Sequence, residues 1–209
     1  LYTWYFKKWK LYWLVLFLSL LFKEDVPIFI VGLGLFSSLR KQLKIGILTV
    51  LFGLLSYYVI KYQIMGSIST GADDAYIGTS ILPFTNPPQL INLLFSEPGI
   101  FLNIIFDSPT KLHTLLILYG QLIFLPFFSA LSWLTIFPYL FLRFSSILPH
   151  YWGTHFHYNA DLAPFLTASA IFALKEIRFS RRFVTILLVI TVVIANLRLN
   201  PLILNTLRF

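Results

Sequence analysis

The chain has 209 residues, of which 58% are hydrophobic, 18% aromatic and only 11% charged. Ordinary soluble domains carry about 25% charged residues, so this much apolar surface has its natural solvent in a bilayer. The net charge of +8 does not point to nucleic acid, because the basic residues sit in short clusters between apolar runs and leave no basic face with stacking aromatics. The absence of Cys excludes disulfides, thiolate metal sites and Cys nucleophiles. The chain opens on Leu1 and its single Met is Met65, so the natural start is expected upstream and the chain is read as a piece of a longer protein.

The first apolar run, residues 11–22, follows Lys7, Lys8 and Lys10 and stops at Lys23-Glu24-Asp25. Trp4, Tyr5, Trp9 and Trp13 flank it in the manner of an interfacial aromatic belt. A second run, 26–39, has Pro27 in its first turn, where a missing N–H costs nothing, and ends at Arg40 and Lys41. A third, 45–60, contains Gly46 and Gly53, small residues that let helices approach closely.

Residues 63–110 are rich in Gly, Pro, Asn and Asp and read as a long water-exposed loop. Its two short apolar stretches, 90–95 and 100–106, are too short to span and are expected to lie on the membrane surface. Asp107-Ser108-Pro109 reads as a helix start. The fourth span is expected over 111–127 and the fifth over 130–147, with Pro126 and Pro138 as ends or kinks. A polar loop, 149–161, holds three histidines; spans 162–174 and 183–197 follow, joined by a basic loop. The expected fold is therefore all-α: one polytopic transmembrane domain of about six or seven spans.

One alternation of the spans sorts the charges. Lys7, Lys8, Lys10, Arg40, Lys41, Lys44, Lys175, Arg178, Arg181 and Arg182, ten of the 16 basic residues, fall on one side, which is then cytoplasmic. The other side receives Glu24, Asp25, Asp73, Asp74, Glu97, Asp107 and Asp161, seven of the eight acids, and all four His. Loops 63–110 and 149–161 are thus extracytoplasmic, and chemistry is expected on that face.

Two stretches, KEDVPIFIVGLGL at 23–35 and HFHYNADLAPFLTASAIFAL at 155–174, resemble a bacterial and archaeal family of predicted membrane proteins, domain of unknown function 2079. The resemblance covers most of this chain and the C-terminal part of a family member, whose N-terminal spans would precede Leu1. That family looks like a relative of the GT-C polytopic glycosyltransferases, which use polyprenyl-phosphate sugars outside the cytoplasmic membrane. The resemblance implies sugar transfer from such a donor by analogy, with an acidic residue of an upstream loop as base or metal partner.

Within this chain, three ionisable groups at a membrane boundary are costly unless they face water, a partner or a substrate. Lys23 is suited to a phosphate; Glu24 and Asp25 are suited to orient a sugar hydroxyl, to act as general base, or to help hold a divalent cation as cofactor. The competing reading is a solvated turn with Asp25 as helix N-cap and Lys23 snorkelling. In the histidine loop, His157 is the acid–base candidate, and His155 and Tyr158 are candidates for binding the sugar or acceptor; ordinary hydrogen bonding, or Tyr158 and Asp161 capping or anchoring the sixth span, competes. Two His two residues apart lack a third ligand at fixed spacing, so no metal site is assigned. Arg143, embedded in an apolar run, suits a lipid phosphate or a carboxylate from another span, against simple snorkelling. The membrane lipid and a polyprenyl-phosphate sugar are the expected partners. The enzyme reading expects Lys23, Asp25 and His157 to converge on one cavity beneath 63–110; a non-enzymatic transporter or assembly subunit is the alternative.

Overall fold

The computed structural model describes residues 1–65, 80–82, 87–153, 161–177 and 180–199. The described residues fold as helices joined by turns, with one isolated bridge between Ser80 and Ser146. In chain order these are α1 (Tyr2–Tyr5), α2 (Trp9–Ser19), α3 (Val26–Leu39), α4 (Leu43–Tyr58), α5 (Pro87–Ser96), α6 (Gly99–Phe106), α7 (Pro109–Gly120), α8 (Ala130–Phe144), α9 (Ala163–Glu176) and α10 (Arg181–Leu199). A π-helical stretch, Val59–Met65, continues α4, so that Leu43–Met65 is long and apolar enough to cross a membrane. The other apolar helices, among them α2, α3 and α8, are shorter than a full span.

Large apolar side chains cover the outside: Leu14 and Phe17 on α2, Leu51 and Leu55 on α4, Ile186 and Val189 on α10 are all about half exposed or more. Contiguous apolar surface of this kind has no stable place in water. It fits a chain whose outer solvent is lipid.

Helix α3 is the hub. It packs against α4 on one side and α8 on the other, and α9 packs on α8 and on the 3-10 turn Leu125–Phe128. Glycines allow the close approach. A Cβ on Gly34 would lie 2.8 Å from the Gly46 carbonyl oxygen, and one on Gly53 would lie 2.8 Å from a Val31 methyl. Such backbone proximity, together with interhelical hydrogen bonds, holds these helices against one another. The α3–α4 turn closes with Lys41 in the left-handed region (φ 64°), while Gln42 N–H donates to the Ser37 carbonyl and Lys41 N–H to that of Ser38. This is a Schellman ending without its usual glycine.

Helix α2 is tied to α4 by one buried polar bond. Thr49 donates its hydroxyl to the Ile45 carbonyl, which leaves Tyr12 to donate to Thr49 Oγ1 at 2.8 Å. Tyr12→Phe is expected to destabilise the folded protein by about 0.5–1.5 kcal/mol, the usual net contribution of one such hydrogen bond. Thermal unfolding of the full-length protein in detergent measures it.

Two expectations differ from the structure. Trp4 is core rather than belt: it is 4% exposed and packs against Phe36 and Phe172. The fourth helix begins as expected, with Ser108 as N-cap accepting from Thr110 N–H, but it ends at Gly120. There the chain turns through Ile123 and Phe124, both in the left-handed region, with Phe124 N–H capping the Tyr119 carbonyl. Helix α6 packs on the bundle, with Ile104 and Ile105 buried and Phe101 stacked on Phe141 of α8.

Candidate functional site

The turn between α2 and α3 carries Lys23, Glu24 and Asp25, and Asp25 takes the N-cap position of α3 without a side-chain capping bond. Its carboxylate faces Lys23 instead, at 3.3 Å. The same ammonium lies 2.7 Å from Asp161, at the entry to α9, and donates to the Tyr139 hydroxyl of α8 at 3.0 Å. The α2–α3 turn, α8 and the segment before α9 thus meet at one cation. The side chains of Lys23 and Asp25 are 15% and 8% exposed, so this is a largely dehydrated arrangement and neither a snorkelling lysine nor a solvated turn.

One helical turn after Tyr139, Arg143 is fully buried, and it donates through Nε (3.0 Å) and Nη2 (2.6 Å) to the Tyr151 carbonyl. The next carbonyl, Trp152, accepts from Thr114 of α7 at 2.6 Å. Lys111, 1% exposed, stands beneath the same turn: its ammonium is 4.2 Å from the Trp152 ring centre, 2.8 Å from Asp107 and 2.9 Å from the Ile104 carbonyl. A carboxylate, a carbonyl and an aromatic face together compensate its buried charge. The described residues that flank 154–160 are therefore anchored on both sides, Tyr151 and Trp152 by Arg143 and Thr114, and Asp161 by Lys23. Residues 80–82 touch down at the end of α8, where Ile81 N–H donates to the Ser145 carbonyl at 2.9 Å.

Glu24 is exposed and points elsewhere. With Asp25 it lines a small cleft whose other walls are Tyr57, Ile60, Lys61, Met65 and Leu142. Ile60, Lys61 and Met65 belong to the π-helical stretch, a conformation often found at functional sites. Lys61 donates to the Tyr57 hydroxyl at 3.1 Å.

Of the expected site residues, the structure brings Lys23, Asp25 and Arg143 into one region around Tyr139 and sets Glu24 beside Asp25 on the cleft. Arg143 turns its guanidinium to a main-chain carbonyl. His155, His157 and Tyr158, like Asp73 and Asp74, lie outside the described residues. Among the described residues, no three His, Asp or Glu side chains come together as a metal-binding group. Sequence reasoning passed over Tyr139, Asp161 as the second carboxylate on Lys23, and Lys61. In the sequence Asp161 reads as a cap or anchor of the sixth span, and Lys61 only as a charge closing the third apolar run.

The other end of the bundle is also defined by contacts. Lys175 of α9 donates to the Tyr5 hydroxyl at 3.1 Å, and Arg40 pairs with Glu176.

Comparison with protein families adds one finding: the model of the predicted membrane proteins of domain of unknown function 2079 matches residues 1–208. The chain belongs to this family. It is therefore a predicted membrane protein, as its apolar exterior and the helix Leu43–Met65 lead one to expect. No curated protein and no solved structure matches it. The domain of unknown function 2079 carries no assigned reaction, so what the site does rests on its own chemistry.

Proposed function

We propose that this family member is a GT-C-like enzyme of a bacterial or archaeal cytoplasmic membrane, and that it transfers a sugar from a polyprenyl-phosphate donor on the extracytoplasmic face. In this reading the helices form about six or seven spans. The Lys175 and Arg40 end of the bundle is cytoplasmic, and the Lys23 end is extracytoplasmic.

The observation that carries the proposal is the separation of two carboxylates with different environments beside one cleft. Asp25 is buried and held by Lys23, which is itself held by Asp161 and Tyr139; Glu24 is exposed on the cleft. Neighbouring carboxylates kept in unlike surroundings suit divided roles in group transfer. Glu24 takes the proton of the acceptor hydroxyl. The acceptor oxygen then forms its bond to the anomeric carbon as the bond from that carbon to the donor phosphate oxygen breaks, and polyprenyl phosphate leaves with the electron pair. Asp25 and Lys23 position the turn that carries Glu24. His157, with His155 and Tyr158, falls in the chain between Trp152 and Asp161, and on this reading contacts sugar or acceptor. Arg143 serves by holding Tyr151 rather than by meeting phosphate itself.

The test uses the full-length protein in liposomes and follows consumption of a radiolabelled polyprenyl-phosphate sugar. Glu24→Gln is expected to slow turnover by about 10²-fold or more, the usual contribution of a general base. His157→Ala is expected to slow it as well. Turnover that is absent in wild type, or equal in wild type and both variants, sinks the reading.

One observation favours a second reading, a non-enzymatic transporter or assembly subunit: the charges of Lys23, Asp25 and Lys111 are compensated within the chain. On that reading the network only braces the bundle, and no donor is consumed.

A further inference from the structure

The last turns of α9 form a ridge with a groove on either flank. On the α1 side, Ala168, Ile171 and Phe172 line a groove together with Tyr2, Tyr5 and Phe6, and it encloses about 340 Å³. On the α10 side, Ile171 and Leu174 line a second groove with Thr185, and it encloses about 250 Å³. Ile171 and Lys175, one helical turn apart, border both grooves. Ile171 is 61% exposed, so the ridge itself stands outside the core. From Lys175 back to Ala168 the first groove runs about 10 Å along α9, at 1.5 Å per residue.

The cations at this end decide what fits. Lys175 donates to the Tyr5 hydroxyl at 3.1 Å, and its ammonium lies 5.0 Å from the centre of the same ring. Lys8 holds its ammonium 5.4 Å from the centre of the Tyr2 ring. Both tyrosines line the first groove. Among the described residues neither ammonium meets a carboxylate, and Glu176, the acid next to Lys175, is engaged by Arg40. A phenol and two ring faces hold these cations in place and leave their charge uncancelled. A cation set between two apolar grooves is the complement of an amphiphile with one negative head and two hydrocarbon tails. We infer that this end of the bundle binds one anionic diacyl phospholipid, with its phosphate at Lys175, one acyl chain in the groove beside α1 and the other in the groove beside α10. Lys8 adds its charge at the rim of the first groove. A zwitterionic phospholipid carries its own cation beside the phosphate and gains less from the two lysines. The site is separate from Lys23 and Glu24, and it holds whether or not a sugar is transferred.

The experiment is native mass spectrometry of the full-length protein, delipidated in detergent and titrated with phosphatidylglycerol, phosphatidylcholine and single-chain lysophosphatidylglycerol of matched acyl length. One phosphatidylglycerol is expected to bind at about tenfold lower concentration than phosphatidylcholine, the combined weight of two basic residues near an anionic head group. Lys175→Gln should cut that preference by about fivefold, the share of one such residue. Lys44→Gln removes the same charge from an exposed position that borders neither groove, and should leave binding within about twofold of wild type. Ile171→Trp, at an exposed position on the wall common to both grooves, should weaken phosphatidylglycerol by about tenfold. Should that variant fail to fold, Thr185→Trp blocks the second groove alone from an exposed position and should lower phosphatidylglycerol to the level of its single-chain form. The inference is overturned by phosphatidylcholine binding as tightly as phosphatidylglycerol. It is overturned equally by Lys44→Gln costing as much as Lys175→Gln, which would mean diffuse surface charge. Undiminished binding in a folded Ile171→Trp or Thr185→Trp protein would place the lipid elsewhere and end the proposal.

Discussion

Lys23→Met is expected to be among the most damaging single substitutions in the chain, lowering the stability of the full-length protein by about 3–5 kcal/mol in detergent unfolding. The reason is what it leaves behind. Asp25, with an 8% exposed side chain, and Asp161 would both lose the Lys23 ammonium, and Tyr139 would lose its bond from Lys23. A buried ion pair adds little over an apolar pair of the same shape, but a buried charge whose partner is deleted carries the whole desolvation penalty. The double variant Lys23→Met with Asp25→Asn should therefore recover more than half of the loss, because the uncompensated buried charge is gone. A Lys23→Met protein within about 1 kcal/mol of wild type would mean that water screens these groups, as it does exposed pairs.

Gly32→Val is expected to cost about 3 kcal/mol or more, at or beyond the upper end of ordinary overpacking. A Cβ at this position would sit 2.7 Å from the Leu134 carbonyl carbon and 2.9 Å from the Thr135 Cα. Both are backbone atoms of α8, so no side chain can rotate away and the two helices must part. Parting them also separates Lys23, which leads into α3, from Tyr139 on α8. Gly99 is the control. A Cβ there meets nothing within 4 Å, and Gly99→Ala should change stability by no more than about 0.5 kcal/mol. Equal effects of the two substitutions would contradict the close α3–α8 seat.

The course of the chain was most legible where local composition decides it. The second apolar run spans 26–39, and α3 is Val26–Leu39, because Asp25-Val26-Pro27 and Arg40-Lys41 mark its ends in the residues themselves. Ser108-Pro109 likewise starts α7. The same apolar count failed at 121–127, which reads as a continuing helix and instead reverses through Ile123 and Phe124. Hydropathy carries no information about a backbone that turns without Gly. By sequence Lys111 stands at the edge of a span. It is instead buried under Trp152, whose approach depends on a turn some forty residues on.

The candidate site divides along the same line. The sequence by itself determined that the chain is a lipid-facing helical protein and that its charges lie at the ends of apolar runs, with Lys23-Glu24-Asp25 among them, since these are matters of composition and period. Only the tertiary structure decided which charges meet. Lys23 finds Asp161 138 residues away, and Lys61 shares the cleft of Glu24 because α4 is continued by a π-helical stretch. Arg143 finds a peptide carbonyl, a group that every residue possesses and that no residue type can announce.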